Sequence, residues 1–250
     1  MRRLERAGWS ALLIFAVSAC NSTNGGNVTL EVAAAASLGT VFQQLGTEFE
    51  TTHPEIDLEF NFASSSELAY QITEGAPVDV FASADVDNMT RVEGTGRLVE
   101  PSAVFATNYL EIIVEKGNPL EVRSINDLNQ PNLLFITASP EVPIGKYAAQ
   151  VLDNAGVDIA PVSYEKDVSM ILTKVRIGAA DAGIVYHSTV VAANGLVDSV
   201  PIADELNVVA RYPIGIIDTS KDTASAQLFV DFVLSERGRE ILKEQGFSTP

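Results

Sequence analysis

The chain has 250 residues, 46% hydrophobic and 20% charged, which is enough apolar material for one large domain or two modest lobes and too much for a disordered chain. Its net charge of −17 excludes nucleic acid as a partner, because a protein that grips a phosphate backbone does so with clustered Lys and Arg. The single cysteine, Cys20, excludes disulfides within the chain and zinc sites built on paired cysteines.

In chain order, Arg2, Arg3 and Arg6 come first, followed by an apolar run from Trp9 to Val17. The run is too short to span a bilayer and leads into small residues, so residues 1–19 read as a secretory signal. It ends in Val17-Ser18-Ala19-Cys20, which resembles the lipobox of bacterial lipoproteins. That resemblance implies cleavage before Cys20, lipidation of Cys20, and an exported protein anchored to the outer side of the cell membrane. Residues 20–27 then form a tether, since Asn21 to Asn27 is a Gly, Ser and Asn stretch with no apolar face to bury. Cleavage removes Arg2, Arg3, Arg6 and Glu5, leaving 13 of the 16 basic and 32 of the 33 acidic side chains, a net charge of −19. Such acidity gives an anion no long-range steering, but with a Debye length of about 8 Å a local cluster of donors can still hold one.

Val28 to Ala36 reads as a strand, and Leu38, Val41, Phe42, Leu45 and Phe49 fall at helical spacing up to His53-Pro54. Ile56 to Phe62 alternates as a second strand, Ser64 to Glu74 is a helix broken by Gly75-Ala76-Pro77, and Val78 to Phe81 is a third strand with a helix after Asp85. Tyr109 to Val114 reads as a strand crossing to a second lobe. Helices follow at Lys146 to Asn154, closed by Gly156, and at Asp167 to Ile177, with Gly183 to Tyr186 as a strand between later loops. Tyr212 to Ile217 is the last strand, and two amphipathic helices lie between Ala224 and Gly246. Alternating strands and helices of this kind specify an α/β protein.

Small or hydroxyl residues stand where strands give way to helices, at Ala33 to Leu38, at Phe62 to Glu67, at Pro140 to Lys146 and at Lys166 to Val168. The first N–H groups of a helix have no intrahelical acceptor, and the dipole adds roughly half a positive charge, so an anion is the natural ligand there. Each junction also has a plainer reading. Ser64 and Glu67 satisfy the S-x-x-E capping box without any ligand, and the proline-bounded turn is compatible with an ordinary loop.

Together these stretches carry a family resemblance. AAASL at Ala34 to Leu38, FASSS with ELAYQITEGAPVDVFASAD at Phe62 to Asp85, PEVPIGKYA at Pro140 to Ala148, KDV at Lys166 to Val168 and GIVYHS at Gly183 to Ser188 resemble the molybdate-binding proteins of bacterial molybdate ABC transporters. The likeness extends over nearly all of residues 28–250. It implies a two-lobed periplasmic binding protein fold of type II, with the hinge crossed twice and the ligand in the interlobe cleft. Lobe 1 is then residues 28–108 plus 213–250, and lobe 2 residues 109–212. Carried over position by position, the oxyanion ligands are Ser37 and Ser65 through hydroxyl and backbone N–H, Ile144 and Val168 through backbone N–H, and Tyr186 through its phenol. Ile144 stands where the family often has Ala or Tyr, and Thr189 where an Asp is common.

The implied partners are molybdate or tungstate and an ABC permease with a cytoplasmic ATPase, the protein acting as a monomer without cofactor and without a protein-coordinated metal cation. Every ligand group in this set donates, which suits a dianion that carries no proton and disfavours phosphate. The alternatives are another oxyanion such as sulfate, or a non-transport sensor lipoprotein of the same fold. No G-x-S-x-G elbow, H-E-x-x-H, P-loop or complete G-x-G-x-x-G is present, so the protein reads as a binder and not an enzyme. A hydrolase would need a serine beside His187 with Asp181 or Asp167 behind it.

Overall fold

A computed structural model describes residues 27–250; the signal at residues 1–19, Cys20 and most of the tether lie outside the described residues. The chain forms two five-stranded sheets. The first has the order β2-β1-β3-β10-β4, built from β1 (Val28–Ala35), β2 (Ile56–Ala63), β3 (Val80–Ala82), β4 (Ala103–Asn108) and β10 (Ala210–Ile216). The second has the order β7-β6-β8-β5-β9, built from β5 (Leu110–Val114), β6 (Phe135–Ala138), β7 (Ser163–Glu165), β8 (Ala182–Tyr186) and β9 (Asp198–Pro201).

Eight helices accompany them among the described residues: α1 (Gly39–Thr52), α2 (Ser65–Thr73), α3 (Val86–Glu93), α4 (Pro143–Ala155), α5 (Val168–Arg176), α6 (His187–Ala192), α7 (Thr223–Leu234) and α8 (Glu236–Glu244). The period-2 alternation of β1 sorts them onto two faces. Val32 and Ala34 face a core with Val41, Phe42 and Phe229, while Ala33 clusters with Leu68 and Ile72 of α2, Phe81 of β3 and Met89 of α3. A strand covered on both sides reads as a continuous apolar run, and this is why Val32 to Ala35 are all buried.

The chain passes from the first sheet to the second between Asn108 and Leu110, and returns between Pro201 and Ala210. The return differs from the sequence reading. β10 begins at Ala210, and Ala210, Arg211 and Tyr212 pair antiparallel with Asn108, Thr107 and Ala106 of β4. These three residues therefore belong with the first sheet and not with 109–212. One helix and one strand also have bounds that differ from their sequence patterns. α4 begins at Pro143, because proline at the first helical position sacrifices no hydrogen bond, and β1 ends at Ala35 because Ala36–Leu38 winds into a 3-10 turn before α1.

Candidate functional site

Each sequence-selected residue sits at the exit of a strand, and local chemistry places it there. Ser37 lies in the 3-10 turn between β1 and α1. Ser65 is the first residue of α2, whose N-cap is the preceding Ser64: its hydroxyl accepts the Glu67 N–H at 3.3 Å. Only half of the expected capping box forms. The Glu67 carboxylate accepts from Gln71 at 3.5 Å instead of reaching back, so capping occupies Ser64 and leaves Ser65 for another role.

On the second sheet, α4 opens at Val142-Pro143 with no side-chain cap. Pro143 has no N–H, so the Ile144 amide is the first donor of that helix. Gly145 allows the helix to press on the end of β6: a Cβ there would stand 2.1 Å from Ser139 O and 2.4 Å from Ala138 O. Asp167 caps α5 by accepting the Met170 N–H at 3.0 Å, leaving the amide of Val168 at the first helical position without that partner. Tyr186 is the last residue of β8 and precedes α6.

These five residues come from five chain segments and two sheets, and the fold brings them to one cavity. Ser37, Ser64, Ser65 and Ala84 line it from the first sheet's side, and Ile144, Asp167, Val168 and Tyr186 from the second. Its volume is about 20 Å³, little more than the roughly 10–15 Å³ that a single water molecule needs. Neither Lys nor Arg lines it.

The hydrogen bonds behind the wall set its polarity. Ser65 Oγ accepts the Ala84 N–H at 2.9 Å, so its own proton is free to point inward. Tyr186 is buried to 1% exposure, and its hydroxyl has no partner among the described residues. Burial, and then the neighbouring Tyr212 and Tyr147, push its pKa well above the ordinary phenol value, so it stays a donor. Tyr147 and Tyr212 are likewise raised, chiefly by burial. The three rings meet edge to face, Tyr186 with Tyr212 at 5.8 Å and with Tyr147 at 6.5 Å. At the rim Lys146 of α4 pairs with Asp87 of α3, joining the two sheets' helices across the cleft.

The hydrolase alternative has no geometry behind it. His187 Nδ1 meets Glu111 Oε1 at 2.5 Å, and its ring stacks on Tyr109 at 4.6 Å. Asp181 accepts the Leu134 N–H, and Asp167 caps α5. Sequence reasoning passed over Ala84, which lines the cavity, the Asp167 carboxylate as part of its wall, and Tyr212, which stands behind the wall with its phenol 3.2 Å from Ser37 Oγ. Tyr212 was legible only as a strand aromatic, since its partner is 175 positions away.

Residues 30–248 match the family model described as bacterial extracellular solute-binding protein. The chain belongs to that family of extracellular solute-binding proteins. Among relatives, this solute-binding protein is 38% identical to "Molybdate-binding protein ModA" of Mycobacterium tuberculosis, over 96% of each chain. Among solved structures it superposes on the periplasmic molybdate-binding protein of Azotobacter vinelandii with a TM-score of 0.79 at 20% identity, over 88% of this chain and 99% of that one. The sulfate-binding protein SubI of Mycobacterium tuberculosis gives 0.80 at 17% identity, over 89% and 87%. At such identities these two structures establish the two-lobed fold alone.

Proposed function

We propose that this protein captures molybdate, and with it tungstate, outside the cytoplasm and delivers the anion to an ABC permease, held at the membrane by a lipid on Cys20. The observation that carries the reading is the wall itself. Ser37, Ser65, Ile144, Val168 and Tyr186 line one small cavity between the two sheets, and each offers a donor there. A charged acceptor gains about 1.5–3 kcal/mol from each such hydrogen bond, and α2, α4 and α5 all begin at the wall, so their dipoles favour negative charge. The molybdate-binding relative at 38% identity supports the choice of anion.

Donors from both sheets contact one ligand only when the lobes are together, so the ligand itself favours closure. Five donors around one cavity, with the one carboxylate among its lining residues, Asp167, spent on capping α5, suit capture and release, not turnover. Isothermal titration of the purified protein with molybdate, tungstate, sulfate and phosphate tests the reading. One-to-one binding of the first two, with sulfate and phosphate silent, supports it. Binding of sulfate in preference to molybdate would replace the ligand while keeping the site, and silence from all four would sink the oxyanion assignment.

A further inference from the structure

The two serines of the wall differ in what stands behind them. Ser65 Oγ accepts from the Ala84 amide, a group that can only donate, so the Ser65 proton has no choice but the cavity. Ser37 Oγ faces the Tyr212 hydroxyl at 3.2 Å, and either oxygen can be the donor. A hydroxyl has one proton. If Ser37 donates to Tyr212, it presents only lone pairs to an anion and repels it. If Tyr212 donates, the Ser37 proton is free to turn inward.

Tyr212 is built to hold one orientation. Its side chain is fully buried, with Phe105, Phe247 and Tyr186 against its ring at 6.3, 5.3 and 5.8 Å, so the phenol cannot swing away to water. It lies on β10 of the first sheet, and Tyr186 on β8 of the second, so the same residue also touches the opposite wall of the cleft.

Resting on the oxyanion reading above, we infer that Tyr212 is a positioning residue: it donates to Ser37 Oγ, which turns the Ser37 proton toward the bound anion. It touches no ligand itself. Removing only its hydroxyl releases Ser37 to rotate and lowers affinity mainly through Ser37, although the Tyr186 ring also stands against it.

The test is a double-mutant cycle read by titration with molybdate. Tyr212→Phe keeps the ring and is expected to weaken binding about tenfold, which corresponds to about 1.4 kcal/mol. In a Ser37→Ala background the same change should cost little further, whereas with Ser65→Ala the two losses should multiply. Unchanged affinity of Tyr212→Phe, or a loss that persists in full without Ser37, overturns the inference. A second measurement avoids mutation: neutron diffraction of the liganded wild-type protein should place the deuteron on the Tyr212 oxygen, and a Ser37 deuteron directed at Tyr212 overturns it. Failure of the wild-type protein to bind molybdate strikes instead at the reading on which the inference rests.

Discussion

Tyr186 carries a polar atom that folding leaves at a loss. Its hydroxyl is buried and has no partner among the described residues, a situation that costs about 1–3 kcal/mol. Such a cost at a cavity wall is expected where the partner is a ligand. Tyr186→Phe should therefore raise the stability of the ligand-free protein by about 1 kcal/mol, some 2–4 °C in Tm for a chain of this size, and weaken molybdate binding roughly 10- to 150-fold. Calorimetry of the two forms checks both halves, and a Phe variant that loses stability as well as affinity would make the hydroxyl a structural group. The same burial fixes the alkaline limit. The pKa values of Tyr147, Tyr186 and Tyr212 are all raised in the folded protein, first by burial, while in the unfolded chain they ionise near 10. Below about pH 10 both states keep these protons and stability is indifferent to them; above it the unfolded state releases protons that the folded state retains, and stability falls. Urea midpoints should hold level from about pH 8 to 9.5 and then drop, less steeply for Tyr186→Phe. At this scale the sequence was only partly readable. The Ser64-Ser65-Ser66 run announced a helix start, but which hydroxyl capped and which faced the cavity came from the family resemblance, because spacing alone favours the cap.

Three helices begin at the wall, and their starts were legible because capping has a chemical vocabulary. Ser64, Pro143 and Asp167 each stand where a cap or first residue belongs. Less visible were β4, β6, β7 and β9, since strands of three to six residues are too short to establish a period, and β7 and β9 end their sheet as edge strands. The closeness of α4 to β6 was also hidden. It depends on Gly145, whose missing Cβ leaves room for the Ser139 and Ala138 carbonyls. Backbone oxygens cannot rotate away, so Gly145→Ala must push the first turn of α4 outward, and the Ile144 amide with it. Overpacking of this kind costs about 1–3 kcal/mol, roughly 2–12 °C in Tm, and affinity for molybdate should fall in the same variant. Thermal unfolding with and without ligand measures both. An Ala variant of wild-type Tm would show that the turn relaxes freely, and that its present position is not held by the glycine.

At the scale of the whole molecule the two-sheet plan followed from alternating strands and helices, whereas the return point at Ala210 did not, because Ala210 to Tyr212 pair with residues 106–108 and a long-range register leaves no local mark. Charge is the property that belongs to the molecule entire. The chain bears −17, yet its proposed ligand is a dianion, and the cavity wall contains neither Lys nor Arg. The lysines next in sequence to the wall residues are already matched: Lys146 pairs with Asp87, and Lys166 lies 4.0 Å from Asp167. Attraction therefore acts only at the range of a hydrogen bond, and at longer range the ligand approaches a surface of its own sign. Salt screens that repulsion, with a Debye length shrinking from about 30 Å at 0.01 M to about 8 Å at 0.15 M. Association with molybdate should accordingly become faster as ionic strength rises, the reverse of a site fed by a basic funnel, whose on-rate falls with salt. The only tryptophan is Trp9, so in a protein truncated to residues 21–250 stopped-flow tyrosine fluorescence can follow the cluster around Tyr186 directly. An on-rate that declines with added salt would mean that Lys146 and Lys166 at the rim outweigh the acidic body, and that the ligand is steered after all.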